Sequence, residues 1–230
     1  MEMLIETDRA ILSFFNGSES LFLDNISVIL TSGLTWIPLY VSLLYVVVKN
    51  NETMRQIMLV IGCTILCVAL TAIMADFIVK PLVARPRPTY DPFIKYSIKV
   101  VDDMRASGFS FFSAHAANTF GLAVFFSLLI RNFKIVTALV FWSLLNCWTR
   151  LYLGVHYPSD ILVGLMWGAF VGCFAYYVYI KVYLRMHPDF NYVSSQYTST
   201  GYSNDDIDIV LLVLILTFLY SIIRALIFLV

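Results

Sequence analysis

Residues 57–79 read IMLVIGCTILCVALTAIMADFIV, an apolar run with one charged side chain, Asp76. The hydrocarbon core of a bilayer is about 30 Å thick, and about 20 consecutive apolar residues cross it as an α-helix. Amides and carbonyls in that core have no water to bond, so such a run satisfies its own backbone by coiling into a helix. The stretch predicts a membrane-spanning helix that stops at Lys80, the first cation after it.

Working outward, runs of the same character cover residues 26–48, 115–130, 135–148, 158–183 and 209–230. The whole chain agrees: of 230 residues, 60% are hydrophobic and 13% charged, against about 45–50% and about 25% in ordinary soluble domains. Ahead of the first run, Leu4, Ile5, Ile11, Leu12 and Phe15 recur at helical spacing among Glu2, Glu6 and Asp8, with Gly17 as a stop. That pattern predicts an amphipathic helix lying in the membrane interface rather than a cleaved signal, which would start with basic residues. The expected fold is all-α: one integral-membrane domain over residues 1–230, a bundle of about six transmembrane helices with an N-terminal interfacial amphipathic helix.

Formal net charge is zero, which gives no polyanion-binding surface and no nucleic-acid partner. Cys63, Cys67, Cys147 and Cys173 all lie inside apolar runs, as packing residues rather than a disulfide framework. If all six runs cross, the connections 49–55, 131–134 and 181–208 share one side. Lys49, Arg55, Arg131, Lys134, Lys181 and Arg185 flank them, as they flank cytoplasmic loops. The opposite face, with both termini and the connections 80–112 and 150–157, is then expected outside the cytoplasm. The polar stretch 191–208 reads as a mobile loop. Tyr90, Phe93 and Tyr96 suit the long 81–112 connection to the headgroup level, as a lid or as a plain connector.

Three polar clusters sit at the ends of apolar runs on that outer face. Lys80 and Arg87 straddle Pro81, Pro86 and Pro88, which stiffen the backbone. An ammonium is a point charge and a guanidinium a planar fork, a complementary pair for a doubly charged phosphate. Ser113 and His115 open the third run, with Asn118 and Thr119 one turn on, so free amides at a helix start would face the same place. Arg150 and His156 sit in a short connector, and Asp160 follows His156 by four positions with Pro158 as the first helical residue. That spacing lets a carboxylate fix an imidazole tautomer and favour the positive charge that develops when the other nitrogen attacks phosphorus. Lys80, Arg87 and Arg150 already supply the charge that a metal would bring, so no metal and no cofactor are expected.

The three clusters resemble the three-part motif of the type 2 phosphatidic acid phosphatase family, which also includes vanadium-dependent haloperoxidases. Its Lys-x6-Arg-Pro is met by Lys80, Arg87 and Pro88, whereas Arg85-Pro86 misses the spacing. Pro-Ser-Gly-His appears as Phe112-Ser113-Ala114-His115, and Ser-Arg-x5-His-x3-Asp as Thr149-Arg150, His156 and Asp160. Phe112 and Ala114 depart from the pattern and keep the Ser and His side chains, but the Ala114 methyl stands where the family's glycine amide approaches phosphate.

The resemblance implies that His156 attacks phosphorus to give a phosphohistidine, that Asp160 orients it, and that His115 protonates the leaving oxygen. Lys80, Arg87, Ser113 and Arg150 would hold the phosphate oxygens, and water would then release phosphate. The implied substrate is a lipid phosphate monoester or pyrophosphate: a polyprenyl pyrophosphate, a lipid A phosphate, phosphatidylglycerol phosphate or phosphatidic acid. Phosphotransfer to an acceptor other than water uses the same cage and stays open. A non-enzymatic transporter, for which Asp76 and Arg224 are ionisable groups near the membrane, would explain the spans but not the motif spacing, and the apolar composition argues against a vanadate-holding haloperoxidase.

Overall fold

The computed structural model describes residues 2–186 and 195–229. Among these the regular structure is helical. Helix α1 (Glu2–Asn16) is followed by α2 (Leu21–Thr31) and α3 (Ile37–Lys49), then by α4 (Met54–Ala72) and the one-turn α5 (Lys80–Val83). After the long connection come α6 (Ala114–Ile130), α7 (Phe133–Tyr152), α8 (Pro158–Met186) and α9 (Asn204–Ile227). Four segments, Met54–Tyr90, Phe133–Tyr152, Pro158–Arg185 and Asn204–Ile227, are long and apolar enough to cross a bilayer, and Ala114–Ile130 is a shorter apolar helix. The protein is an integral membrane protein.

The first apolar run is not one straight helix. It breaks after Thr31, where Ser32 is extended, and α2 meets the Gly33–Lys49 segment at 68°. Carbonyls released at a helix end need new donors, and here side chains supply them. Thr35 Oγ1 donates to Ile29 O at 2.6 Å and Trp36 Nε1 to Leu30 O at 2.9 Å. The Trp36 indole is buried and packs edge-on against Trp142 and Phe218, so the break is anchored in the apolar core.

Helix α6 is central, flanked by α4, α7 and α8. Its approach to α8 depends on three glycines spaced one turn apart. A Cβ on Gly164, Gly168 or Gly172 would lie 2.7 Å from Ser113 O, 2.5 Å from Ala117 O or 2.6 Å from Gly121 O. Small residues at four-residue spacing let two helices in lipid approach backbone to backbone, where dispersion contacts rather than hydrophobic exclusion hold them together. Cys63, Cys67 and Cys147 are buried free thiols, and Cys173 is free and exposed.

The second run continues past α4 through a wider π-helical stretch, Ile73–Val79, before α5. Helix α7 extends to Tyr152, so Arg150 is in its last turn rather than in a connector; a cation there also suits the helix dipole. Of the segment expected as a mobile loop, residues 191–194 lie outside the described residues. Beyond them, Thr198 N bonds Tyr202 O at 2.8 Å, and α9 begins at Asn204. Asp206, in its first turn, accepts from Tyr45 Oη at 3.0 Å and Asn50 Nδ2 at 2.9 Å. Hydrogen bonds therefore hold residues 198–208 where composition alone reads as a loop.

Helix α1 rests on the junction between α7 and α8. Leu12 and Asp8 are buried against the bundle, while Ile5, Ile11 and Phe14 are exposed, so the face of α1 turned to the bundle carries a carboxylate as well as an apolar side chain. Asn16 Nδ2 donates to Tyr152 O at 2.7 Å and to Lys99 O at 2.9 Å, which clasps the long connection to the end of α7.

Candidate active site

Three chain segments converge beneath α1: the stretch after α4, the start of α6, and the α7–α8 connection. His156 lies in that connection, 4% exposed. Its Nδ1 faces Asp160 Oδ2 at 3.5 Å and Ser110 Oγ at 3.4 Å. Its Nε2 faces Arg87 Nη1 at 3.3 Å. A guanidinium has only donors, so Nε2 must be the accepting nitrogen, and the ring proton belongs on Nδ1, toward the carboxylate. Burial pushes the His156 imidazole down from 6.5 to about 4, Arg87 and Lys80 push the same way, and the bond and charge of Asp160 oppose them. At neutral pH the ring is uncharged with a lone pair on Nε2.

Asp160, fully buried in the first turn of α8, is held on several sides. Oδ2 accepts from Tyr157 N at 2.9 Å and from Ser110 Oγ, and Oδ1 accepts from Arg85 Nη1 at 2.8 Å. Arg87 is fixed by the carbonyls of Ser107, at 3.0 Å, and Val155, at 3.0 Å. Arg150 sends Nη2 to Thr31 O at 2.9 Å, a carbonyl freed by the break after α2. Its Nε is buried with no hydrogen-bond partner among the described residues. A buried donor left unpaired costs about 1–3 kcal/mol.

Lys80 pairs with Asp76 at 2.5 Å, one turn back on the π-helical stretch, and lies within electrostatic range of both His115 and His156. His115 is exposed in the first turn of α6 and within the same range of Arg150 and His156. Ser113 is fully buried and caps α6, its Oγ accepting from Ala116 N at 3.4 Å and its own N donating to Asp160 O at 3.0 Å. Ala114 and His115 stand in the first turn of α6, whose amides have no partner within the helix. Lys80, Arg87, Ser113, His115, Arg150, His156 and Asp160 thus come together.

Asn118 and Thr119 do not join them. Asn118 Oδ1 accepts from Thr71 Oγ1, and Thr119 Oγ1 bonds His115 O at 2.9 Å and Ser143 Oγ at 2.9 Å inside the helix packing. Ala114 packs on an apolar cluster with Ala75, Phe112 and Ala117, which takes up its extra methyl. Conversely, Arg85, passed over because it misses the motif spacing, bonds Asp160 directly, and Ser110 touches both His156 and Asp160. The only signals for them in sequence were a second Arg-Pro and one serine among several.

The family model described as PAP2 superfamily matches residues 57–184. The chain belongs to the PAP2 superfamily. The PAP2 match runs from α4 into α8 and contains all seven motif residues, leaving α1, α2, α3 and α9 outside it. The chain is 37% identical over 194 residues to the lipid A 4'-phosphatase of Bacteroides thetaiotaomicron, covering 82% of this chain and 84% of the relative. The lipid A 4'-phosphatase of Porphyromonas gingivalis is 32% identical over 183 residues, 78% of this chain and 76% of that one. Undecaprenyl-diphosphatase BcrC of Bacillus subtilis is 28% identical over 123 residues, 54% of this chain and 58% of the relative. The crystal structure of Aquifex aeolicus LpxE shares the PAP2 chain's fold with a TM-score of 0.54 at 21% identity, covering 72% of this chain and 92% of that one.

Proposed function

We propose that this PAP2 protein is a membrane lipid phosphatase that removes a phosphate monoester from a lipid A-class glycolipid by way of a phosphohistidine. The observation that carries the reading is the state of His156: neutral, its proton turned toward Asp160, and its free Nε2 beside the guanidinium of Arg87. A phosphate oxygen takes over the Arg87 donor and the unpaired Nε–H of Arg150. This brings phosphorus up to Nε2 while Lys80 and the first amides of α6 balance the charge spread over the equatorial oxygens. The N–P bond forms as the P–O ester bond breaks, and His115, which takes up a proton as the phosphate dianion offsets the Arg150 and Lys80 charges beside it, passes that proton to the leaving sugar oxygen. Water then attacks the phosphohistidine, gives its proton to His115, and the N–P bond breaks to release phosphate. Asp160 stabilises the cationic ring in both steps.

Likeness to the two lipid A 4'-phosphatases over most of the chain supports the glycolipid class. A cavity of about 450 Å³ adds a place for an acyl chain: it starts at Asn118, one turn past His115, and runs between α3, α4, α6 and α7 along Leu43, Ile65, Leu122 and Leu139. The lipid A 4'-phosphatase relatives are bacterial, and taking the tight loops that carry Lys49, Arg55, Arg131 and Lys134 as cytoplasmic puts the site, at the other end of the bundle, on the periplasmic face of the inner membrane. The test is phosphate release by purified protein from lipid A in detergent micelles, with undecaprenyl diphosphate and phosphatidic acid as comparison substrates and mass spectrometry of the lipid product. Loss of the 4'-phosphate, abolished in His156→Ala, is expected. Unchanged turnover by that variant, or preference for the diphosphate, would end the proposal.

A further inference from the structure

We infer that Asp8, on the N-terminal helix α1 and outside the segment matched by the PAP2 family model, is a positioning residue of the active site that acts through Arg85 on Asp160. The inference rests on His156 and Asp160 being the nucleophile and its orienting partner.

The buried carboxylate of Asp160 does not meet Arg85 as a closed pair. Arg85 spreads its guanidinium: Nη1 donates to Asp160 Oδ1 at 2.8 Å and to Ser159 Oγ at 2.8 Å, while Nη2 donates to Asp8 Oδ2 at 2.7 Å. Asp8 is itself nearly buried, and its Oδ1 accepts from Ser159 N at 2.9 Å in the first turn of α8. The guanidinium lies 3.8 Å above the centroid of the Tyr157 ring. The Tyr157 hydroxyl donates to Asp91 Oδ2 at 2.6 Å, and Arg9 donates to the same oxygen at 3.1 Å. Two consecutive residues of α1 therefore fix the two members of one stack, Asp8 the guanidinium and Arg9, through Asp91, the phenol.

The charge balance explains why a second carboxylate is useful. Arg85 opposite Asp160 alone would neutralise the charge that His156 needs when its ring becomes cationic. Sharing Arg85 between Asp8 and Asp160 keeps Asp160 oriented while leaving it negative enough to stabilise the imidazolium. Without Asp8, the guanidinium turns fully onto Asp160 and the phosphoryl-transfer step slows, whereas lipid binding by Lys80, Arg87 and Arg150 is untouched.

Kinetics with lipid A in detergent micelles test this, with Tm measured on each variant. Asp8→Asn is expected to lower kcat about ten- to hundred-fold with KM within about twofold, and Asp8→Glu to recover most of the loss. Arg85→Gln is expected to lower kcat as well and to move the acid limb of the pH profile upward, because one cation near the ring is gone. The charged and titratable groups that remain around His156 are Lys80 and Arg87, His115 on α6, Arg150 on α7 and Asp160 on α8, all unchanged in that variant. A folded Asp8→Asn protein with wild-type kcat, beside an inactive His156→Ala, would overturn the inference. If Asp8→Asn does not fold, an Arg85→Gln enzyme with unaltered kcat and acid limb overturns it equally. Full activity in His156→Ala would instead remove the nucleophile assignment, and this inference with it.

Discussion

Arg87 points Nη1 at Nε2 of His156 across 3.3 Å, so the nitrogen assigned to attack is covered by a donor until a phosphate takes that donor away. A cation beside the nucleophile holds the ring neutral and marks where the phosphate oxygen goes. The consequences can each be measured.

In the proposed mechanism Arg87 and Arg150 donate to charge that grows in the transition state, so replacing either removes that stabilisation. Arg150→Ala is expected to lower kcat/KM by about 10²–10³. Arg150→Lys recovers little, because an ammonium cannot both hold Thr31 O and present a second N–H from the position of Nε. Steady-state phosphate release checks both.

His115→Ala is expected to lower kcat about 10²–10⁴-fold on a sugar phosphate, the usual worth of a general acid. The defect should shrink on an aryl phosphate whose leaving oxygen needs no proton. Equal defects on the two substrates would contradict the role given to His115.

The pH dependence follows from His156. Burial holds it at about 4 in the folded chain, against about 6.5 in an unfolded one. The acid limb of kcat/KM, where the free enzyme's His156 takes up a proton, is therefore expected near pH 4. For stability the sign is fixed: between the two values the unfolded chain binds more protons, so the contribution of a neutral His156 is complete above about pH 6.5 and lost as pH falls toward 4. Thermal melts from pH 7 to pH 4 should show Tm falling over that window, less so in His156→Gln.

Gly168→Leu places a side chain where even a Cβ would lie 2.5 Å from Ala117 O. Forcing α6 and α8 apart costs about 1–3 kcal/mol or more and moves Ser113 away from Asp160. A lower Tm together with lower kcat is expected, whereas Leu162→Ala, on the exposed side of α8, should leave Tm nearly unchanged.

In the proposed mechanism the charge on the phosphate is balanced by Lys80, Arg87 and Arg150, so phosphate release should be the same with EDTA as without. A strict requirement for a divalent ion would contradict the mechanism.

Much of this protein was legible in one dimension. Apolar runs long enough for a bilayer leave the backbone no choice but helix, so the class of fold follows from residues such as 57–79. Lys80, Arg87, Ser113, His115, Arg150, His156 and Asp160 stand at or near helix ends, where spacing of a few residues fixes direction; His156 and Asp160 meet because Asp160, in the first turn of α8, reaches back to Tyr157 N beside His156. The rest is long-range. The break after Thr31 is marked in sequence by Thr31-Ser32-Gly33 and by Pro38 at the start of α3, but its 68° angle is held by Thr35 and Trp36 catching freed carbonyls and by Trp142 receiving the indole. Arg85 fails the motif spacing yet grips Asp160, and Asp8 reads as the polar side of an amphipathic helix until α1 is laid over the α7–α8 junction. Local spacing determined which groups sit at each helix end; packing of α6 on α8 and of α1 across them decided which charges share one site, because no sequence interval specifies a contact between residues 8, 85 and 160.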